Sequence, residues 1–358
     1  MALQSGAGRR PPALHGWRAA VHEYVKCVSE AEIDMTAGPL LAVAEDEKHL
    51  GRLETRLARM RERERRRGAF PERHEARAAL LDFREDGDSA AVRLQLHLKR
   101  SLSLGKGFYT EEKTEIERIR LKRRNNVWRV TGIEPEVAER RRDPGAPEAP
   151  EDPDPDRPDA RSAREQDGTG IPLPYINGRL LPHFHRERAG MPYRRDLAAA
   201  YADRWWNEPN PAYETFEVNC TNYVSQCLFA GHAPMNYTGR RDSGWWYKGR
   251  SGGRELWSYS WAVSHALQSY LARGASTGLT AVQVESPADL KLGDVIFYDW
   301  DGDGRFQHST IVTAFDSAGM PLVNANTTAS RHRYWDYRDS YAWTERTRYK
   351  FFHISDEF

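Results

Sequence analysis

From Leu14 the chain repeats apolar residues at helical spacing, with Trp17, Val21, Tyr24, Val25 and Val28 on one face. Pro39-Leu40-Leu41 breaks that pattern. A charged stretch from about Glu45 to Arg67 then carries a narrow stripe of Leu50, Leu53, Leu57 and Met60, and Gly68 ends it. These spacings predict two helices. The period next changes to two. Ala79 to Phe83 reads as a strand, Glu85-Asp86-Gly87-Asp88 as a turn, and Val92, Leu94, Leu96 and Leu98 alternate with polar residues. Ile116 to Leu121 is a further strand candidate, and Arg124-Asn125-Asn126 turns the chain into Val127 to Val130. Two helices followed by an antiparallel meander is an α+β pattern. Its topology looks like the cystatin-like or nuclear-transport-factor-like cone, although no motif accompanies it. A packing, ligand-sensing or dimerisation module is the expectation for residues 13–138, after a disordered tail at 1–12.

Residues 139–171 change composition. Pro144, Pro147, Pro150, Pro153, Pro155 and Pro158 lie among Asp, Glu, Ala and Arg, which predicts an extended linker. The second domain, 172–358, opens with a lead-in to Pro192 and a helix from Arg195 to Trp206. On that helix Leu197, Ala200, Tyr201 and Arg204 share a face. A second helix follows Asn219, with Tyr223, Val224, Cys227 and Leu228 at helical spacing. A loop rich in Gly and Trp comes next (Trp245 and Trp246 among them), either rimming a cleft or packing inward. Trp257 and Trp261 open a further helix through Leu271. From Asp294 onward the pattern is a meander: Val295 to Tyr298, His308 to Ala314 and Pro321 to Asn326.

Candidate chemistry lies at two places in this domain. Asn219 is a suitable N-cap, which sets Cys220 at the first helical position. There the helix dipole and unsatisfied N–H groups favour a thiolate. His308 opens a strand well downstream. A helix-borne Cys followed by a strand-borne His is the chain order of papain-like enzymes, which need a nucleophile, a proton carrier and an orienting group. Asn326, or Asn324 on the same strand face, could orient the ring. Asn219 and Asn222 could add oxyanion donors, with capping as the main role of Asn219.

At these residues a family resemblance enters. The stretch from Tyr193 to the C-terminus resembles the amidase domain of the papain-like, NlpC-type and CHAP-type superfamily. The resembling pieces are Tyr193-Arg194-Arg195, Tyr201-Ala202, Asn207 to Asn210 and Tyr213, then Cys220 to Gly231. Ser258-Tyr259-Ser260-Trp261, Leu292-Gly293-Asp294-Val295-Ile296, His308 and Tyr349 to Ile354 follow in order. The resemblance implies a papain-like helix-plus-meander fold and amide hydrolysis by Cys220, His308 and Asn326. The alternatives are transfer to an amine, or a cell-wall or peptide-binding module that lost turnover. The chain departs from the family pattern twice: the family often has Asp where Asn219 stands and His where Asn326 stands.

Composition narrows the rest. A net charge of +1 over 358 residues, with both signs interleaved, argues against a general nucleic-acid partner. No run has the length of a membrane span. No apolar stretch follows Arg9 and Arg10, so a cytoplasmic location is expected, with export from an upstream start as the alternative. The resemblance implies a peptide or other amide as partner. Three cysteines make no disulfide framework. Cys220 and Cys227, about 10 Å apart along a helix, are too far apart to be bridged. No cofactor is implied. Asp299, Asp301 and Asp303 with Gly304 match the first half of a calcium loop, but Thr310 falls where the last acidic ligand belongs, so a tight acidic turn is the favoured reading. The oligomeric state is not legible.

Overall fold

The computed structural model describes residues 15–140 and 190–358, other than 252, 253 and 276. The expected tail and most of the expected linker lie outside the described residues. The chain divides into two units, 1–101 with 115–136 and 102–114 with 137–358.

In the first unit, α1 (Trp17–Asp34) and α2 (Glu47–Arg67) lie where the apolar spacing predicts. Asp46 caps α2 by accepting from the His49 N–H at 3.0 Å. Gly68, with φ 66°, ends it in the left-handed region. The strands are β1 (Ala69–Asp86), β2 (Ser89–Leu104), β3 (Gly107–Arg124) and β4 (Val127–Pro135). Asn125 and Asn126 both have positive φ, the geometry of a tight hairpin turn. Val92, Leu94, Leu96 and Leu98 of β2 face one core with Tyr24, Leu53, Leu57 and Met60. β1 and β3 are longer than their apolar patterns. Their extra residues are largely polar and at least partly exposed, so no alternation marks them.

The second unit is also α+β. Helices α3 (Arg195–Trp205), α4 (Cys220–Ala230), α5 (Tyr259–Ala262) and α6 (Ser264–Arg273) accompany a short hairpin, β5 (Tyr247–Ser251) with β6 (Arg254–Trp257). The main sheet holds β7 (Ala281–Val284), β8 (Val295–Asp299), β9 (His308–Phe315), β10 (Pro321–Ala325), β11 (Ser330–Tyr334) and β12 (Arg348–Ile354). Its order is β11-β10-β9-β8-β12-β7, with every pair antiparallel. The tip of the β2–β3 hairpin extends it, through Ser330 opposite Lys113 and Arg331 opposite Glu112. Leu102–Thr114 and Val137 onward belong to this unit.

Both faces of the sheet are covered, which is why β8 is buried throughout. Val295, Phe297, Ile311 and Phe352 share a cluster with Tyr223, Val224 and Cys227 of α4. Ile296, Tyr298, Val312 and Val323 share a second cluster with Trp300 and Tyr337. The expected face of α3 is not its buried one. Ala198 and Ala202 are fully buried while Leu197 is exposed, because small residues let α3 approach Gly231 closely. Trp245 and Trp246 are buried, so the Gly/Trp loop packs inward rather than rimming a cleft. Trp257 ends β6 instead of opening a helix, and extended Val263 separates α5 from α6. Among the described residues no helix is long and apolar enough to cross a membrane.

Candidate active site

Cys220 is the first residue of α4 and is buried. Its surroundings are polar. Thr327 Oγ1 accepts from the N–H groups of Asn219 at 2.7 Å and Cys220 at 2.9 Å. The helix is therefore capped from a distant turn and not by its own N-cap side chain, which makes no capping bond. The expected capping role of Asn219 is corrected accordingly. Asn219 Oδ1 instead accepts from Asn222 Nδ2 at 2.9 Å, and its Nδ2 donates to Asn326 Oδ1 at 2.7 Å. Asn222 also donates to the Glu214 carbonyl and accepts from Trp261 Nε1, both at 2.8 Å. It braces the loop before α4 and has no donor left for an oxyanion.

Asn326 donates to the carbonyls of Trp205 and Trp206 at the end of α3, at 3.1 and 3.0 Å. Asn324 lies on the same face, as the strand period requires. Its Oδ1 accepts from Thr313 Oγ1 and the His332 N–H, both at 2.8 Å, and its Nδ2 donates to Asp203 at 2.9 Å. Asp203 also accepts from Arg331 Nε at 3.1 Å and stands 3.2 Å from His332 Nε2. Burial would raise its carboxyl, but the hydrogen bonds from His332, Asn324 and Arg331 outweigh that and hold it at about 2.

His308 is not part of this group. Thr221 Oγ1 and Ser309 Oγ are 2.9 Å apart, so Ser309 points at α4. Alternation then sends His308 to the opposite face of β9. There its ring centroid lies 5.5 Å from Tyr298, 5.9 Å from Trp300 and 5.3 Å from Tyr337. Neither ring nitrogen has a hydrogen-bond partner among the described residues. Burial, with the Arg333 charge added, pushes its pKa down to about 3, so the ring is neutral. The structure thus brings Asn219, Cys220, Asn222 and Asn326 together, keeps Asn324 one alternate position along β10, and leaves His308 on the far face. The sequence alone marks neither Thr327, whose only signal is adjacency to Asn326, nor Ser309 and Asp203.

Cys227 lies in the helix-side core, fully buried, and burial holds its thiol well above the ordinary value. None of the three cysteines is in a disulfide. The acidic turn is a closed one. Asp299 accepts from the N–H groups of Asp301, Gly302, Asp303 and Gly304, so its carboxylate is committed to the loop. Asp301 stands 3.4 Å from Arg140. Among the described residues no group of three or more His, Cys, Asp or Glu could hold a metal ion.

A family model described as "Putative amidase domain" matches residues 192–352. This part of the chain is amidase-like in sequence. It is similar to the uncharacterized protein YhbB of Bacillus subtilis (strain 168), with 52% identity over 174 residues, 48% of this chain and 54% of that protein. It is also similar to the uncharacterized protein YjcM of the same organism, with 28% identity over 130 residues, 34% of this chain and 28% of that protein. The matches thus span about half of the first relative's length and less of the second's. Among solved structures, the intermembrane space region of chloroplast protein ARC6 aligns over 35% of this chain and 98% of that chain. The identity is 19% and the TM-score 0.25.

Proposed function

We propose that the amidase-like region is a papain-like domain that holds an amide-bearing ligand, such as a peptide, at the start of α4 without turning it over. The hydrogen bond of 2.7 Å between Asn219 and Asn326, beside Cys220, carries this reading. A thiol nucleophile needs a group in reach that can take its proton. Neither carboxamide does so near neutral pH. The resemblance puts Asp and His at these two positions, a carboxylate–imidazole pair. Here two carboxamides satisfy each other. The Cys220 N–H, the natural oxyanion donor, is engaged by Thr327 Oγ1.

The test uses the full chain and a panel of peptide amides. The wild type should leave them intact while being thermally stabilised by one or more. The double variant Asn219→Asp/Asn326→His should gain hydrolysis that a further Cys220→Ala abolishes. Wild-type hydrolysis lost in Cys220→Ala would overturn the reading. The second reading is a Cys220–His308–Asn326 amidase, acting by hydrolysis or acyl transfer. Its supporting observation is the place of Cys220 at the helix start, where a thiolate is favoured. It requires β9 to slip by one residue and turn His308 toward α4. Loss of wild-type activity in His308→Ala would favour it.

A further inference from the structure

We propose that the first unit carries a groove for a compact polyanion, a phosphate ester or a polycarboxylate. The groove has a volume of about 600 Å³, within the usual range of small-ligand sites. It lies where the end of β1, the start of β2, the last turn of β3 and the approach to α2 meet. Four cations line it, Arg84, Arg120, Lys122 and Arg124, against the carboxylates of Glu45 and Asp86.

Arg124 faces Glu45 at 3.3 Å, so those two charges cancel. Arg84, Arg120 and Lys122 have no ion-pair partner among the described residues, which leaves three cations against Asp86. This is not the habit of the unit. Arg56 pairs with Glu32 and Glu115, Arg63 with Glu64, and Arg93 and Arg118 share Glu136. Next to the groove, Arg123 is held by Asp88. Cations left unpaired inside a concavity form an oxyanion receptor, since the guanidinium fork matches two oxygens at once.

Arg120 has a built position. The β3–β4 ladder shifts register between Arg120 and Leu121, and Arg120 lies opposite Gly132. A Cβ at Gly132 would stand 2.6 Å from both Nε and Nη2 of Arg120. Glycine inside a strand weakens it and marks a close approach. Here it leaves room for the guanidinium to lie against the sheet. Lys122 shares a face of β3 with Arg120 because they are two residues apart.

The test is calorimetric titration of the full chain with pyrophosphate and, separately, citrate at low ionic strength. Saturable binding is expected, weakened about tenfold by Arg120→Ala or Lys122→Ala. Both side chains are exposed, so these variants should fold. Gly132→Ala should also weaken binding by displacing Arg120. Arg65→Ala, which removes an exposed cation paired with Glu62 on α2, should bind as the wild type does. Binding of pyrophosphate alone identifies a phosphoryl ligand, of citrate alone a carboxylate one, and of both a general polyanion site. The proposal is overturned if neither binds, if binding survives the double variant Arg120→Ala/Lys122→Ala, or if Arg65→Ala weakens it equally.

Discussion

His308 shows how one side chain separates reading from structure. The sequence gives the strand and its period, but not the phase of that strand against α4. The phase is set by Thr221 meeting Ser309, a contact between residues distant in sequence. The helix start at Cys220 was legible from the spacing after Asn219, and the structure sets Asn326 2.7 Å from Asn219. The buried His308 has a pH consequence. Its folded pKa of about 3 lies below the ordinary 6.5, so below that value the unfolded chain binds a proton that the folded chain does not. Its contribution to stability is complete above about pH 6.5 and is lost toward pH 3, at up to about 1.4 kcal/mol per pH unit. His49 in the first unit, held at about 4 mainly by burial, acts with the same sign. Denaturant unfolding at pH 5 and pH 7 should therefore show a slope that His308→Phe reduces but does not remove. An unchanged slope in that variant would count against a neutral buried ring.

At the scale of elements, boundaries were legible where local chemistry sets them. Gly68 ends α2 where the chain carries a residue suited to the left-handed region, while the Asp46 cap that starts it went unread. The first half of β1 was not legible. Its Glu72, Arg73 and Glu75 are at least partly exposed and give no alternation to read. The start of α4 is a third kind: its position was legible, but its cap comes from Thr327, over a hundred residues away. Thr327→Val removes the acceptor for two buried N–H groups. At about 1–3 kcal/mol for each unsatisfied donor, it should cost the second unit about 2–6 kcal/mol in denaturant unfolding. A cost near zero would mean that α4 caps itself. Cys227→Ala tests the packed face of the same helix. It should cost about 1–2 kcal/mol while leaving any peptide-amide binding intact. Loss of binding in a folded Cys227→Ala chain would move the site along α4.

At the scale of the whole molecule, the α+β class was legible, because the period changes in order along the chain. The membership of each unit was not, because strand pairing across long sequence separations leaves no local mark. Leu102–Thr114 adds its arm to β11, and Lys113 stands 3.3 Å from Asp339. Glu139 reaches Arg333 at 2.9 Å, and its carbonyl accepts from Trp300 Nε1 at 2.9 Å. Arg333 is fully buried, with Asp339 on its other side at 3.0 Å and Tyr337 under its guanidinium at 3.8 Å. The motif-bearing stretch from Tyr193 reads as a complete domain, yet these contacts make two earlier segments part of its core. A chain truncated to begin at Gly190 loses both. It bares the edge of β11, an invitation to intermolecular pairing, and leaves Arg333 buried with one carboxylate fewer. It should aggregate or unfold at a markedly lower denaturant concentration than the same unit in the full chain. Glu139→Gln in the full chain isolates the charge component and, with Asp339 still 3.0 Å from Arg333, should cost less than the penalty of about 3–5 kcal/mol for leaving a buried charge unpaired. If the truncated chain is soluble and unfolds at the full-chain midpoint, the early segments are accessories and the stretch from Gly190 is a self-sufficient domain.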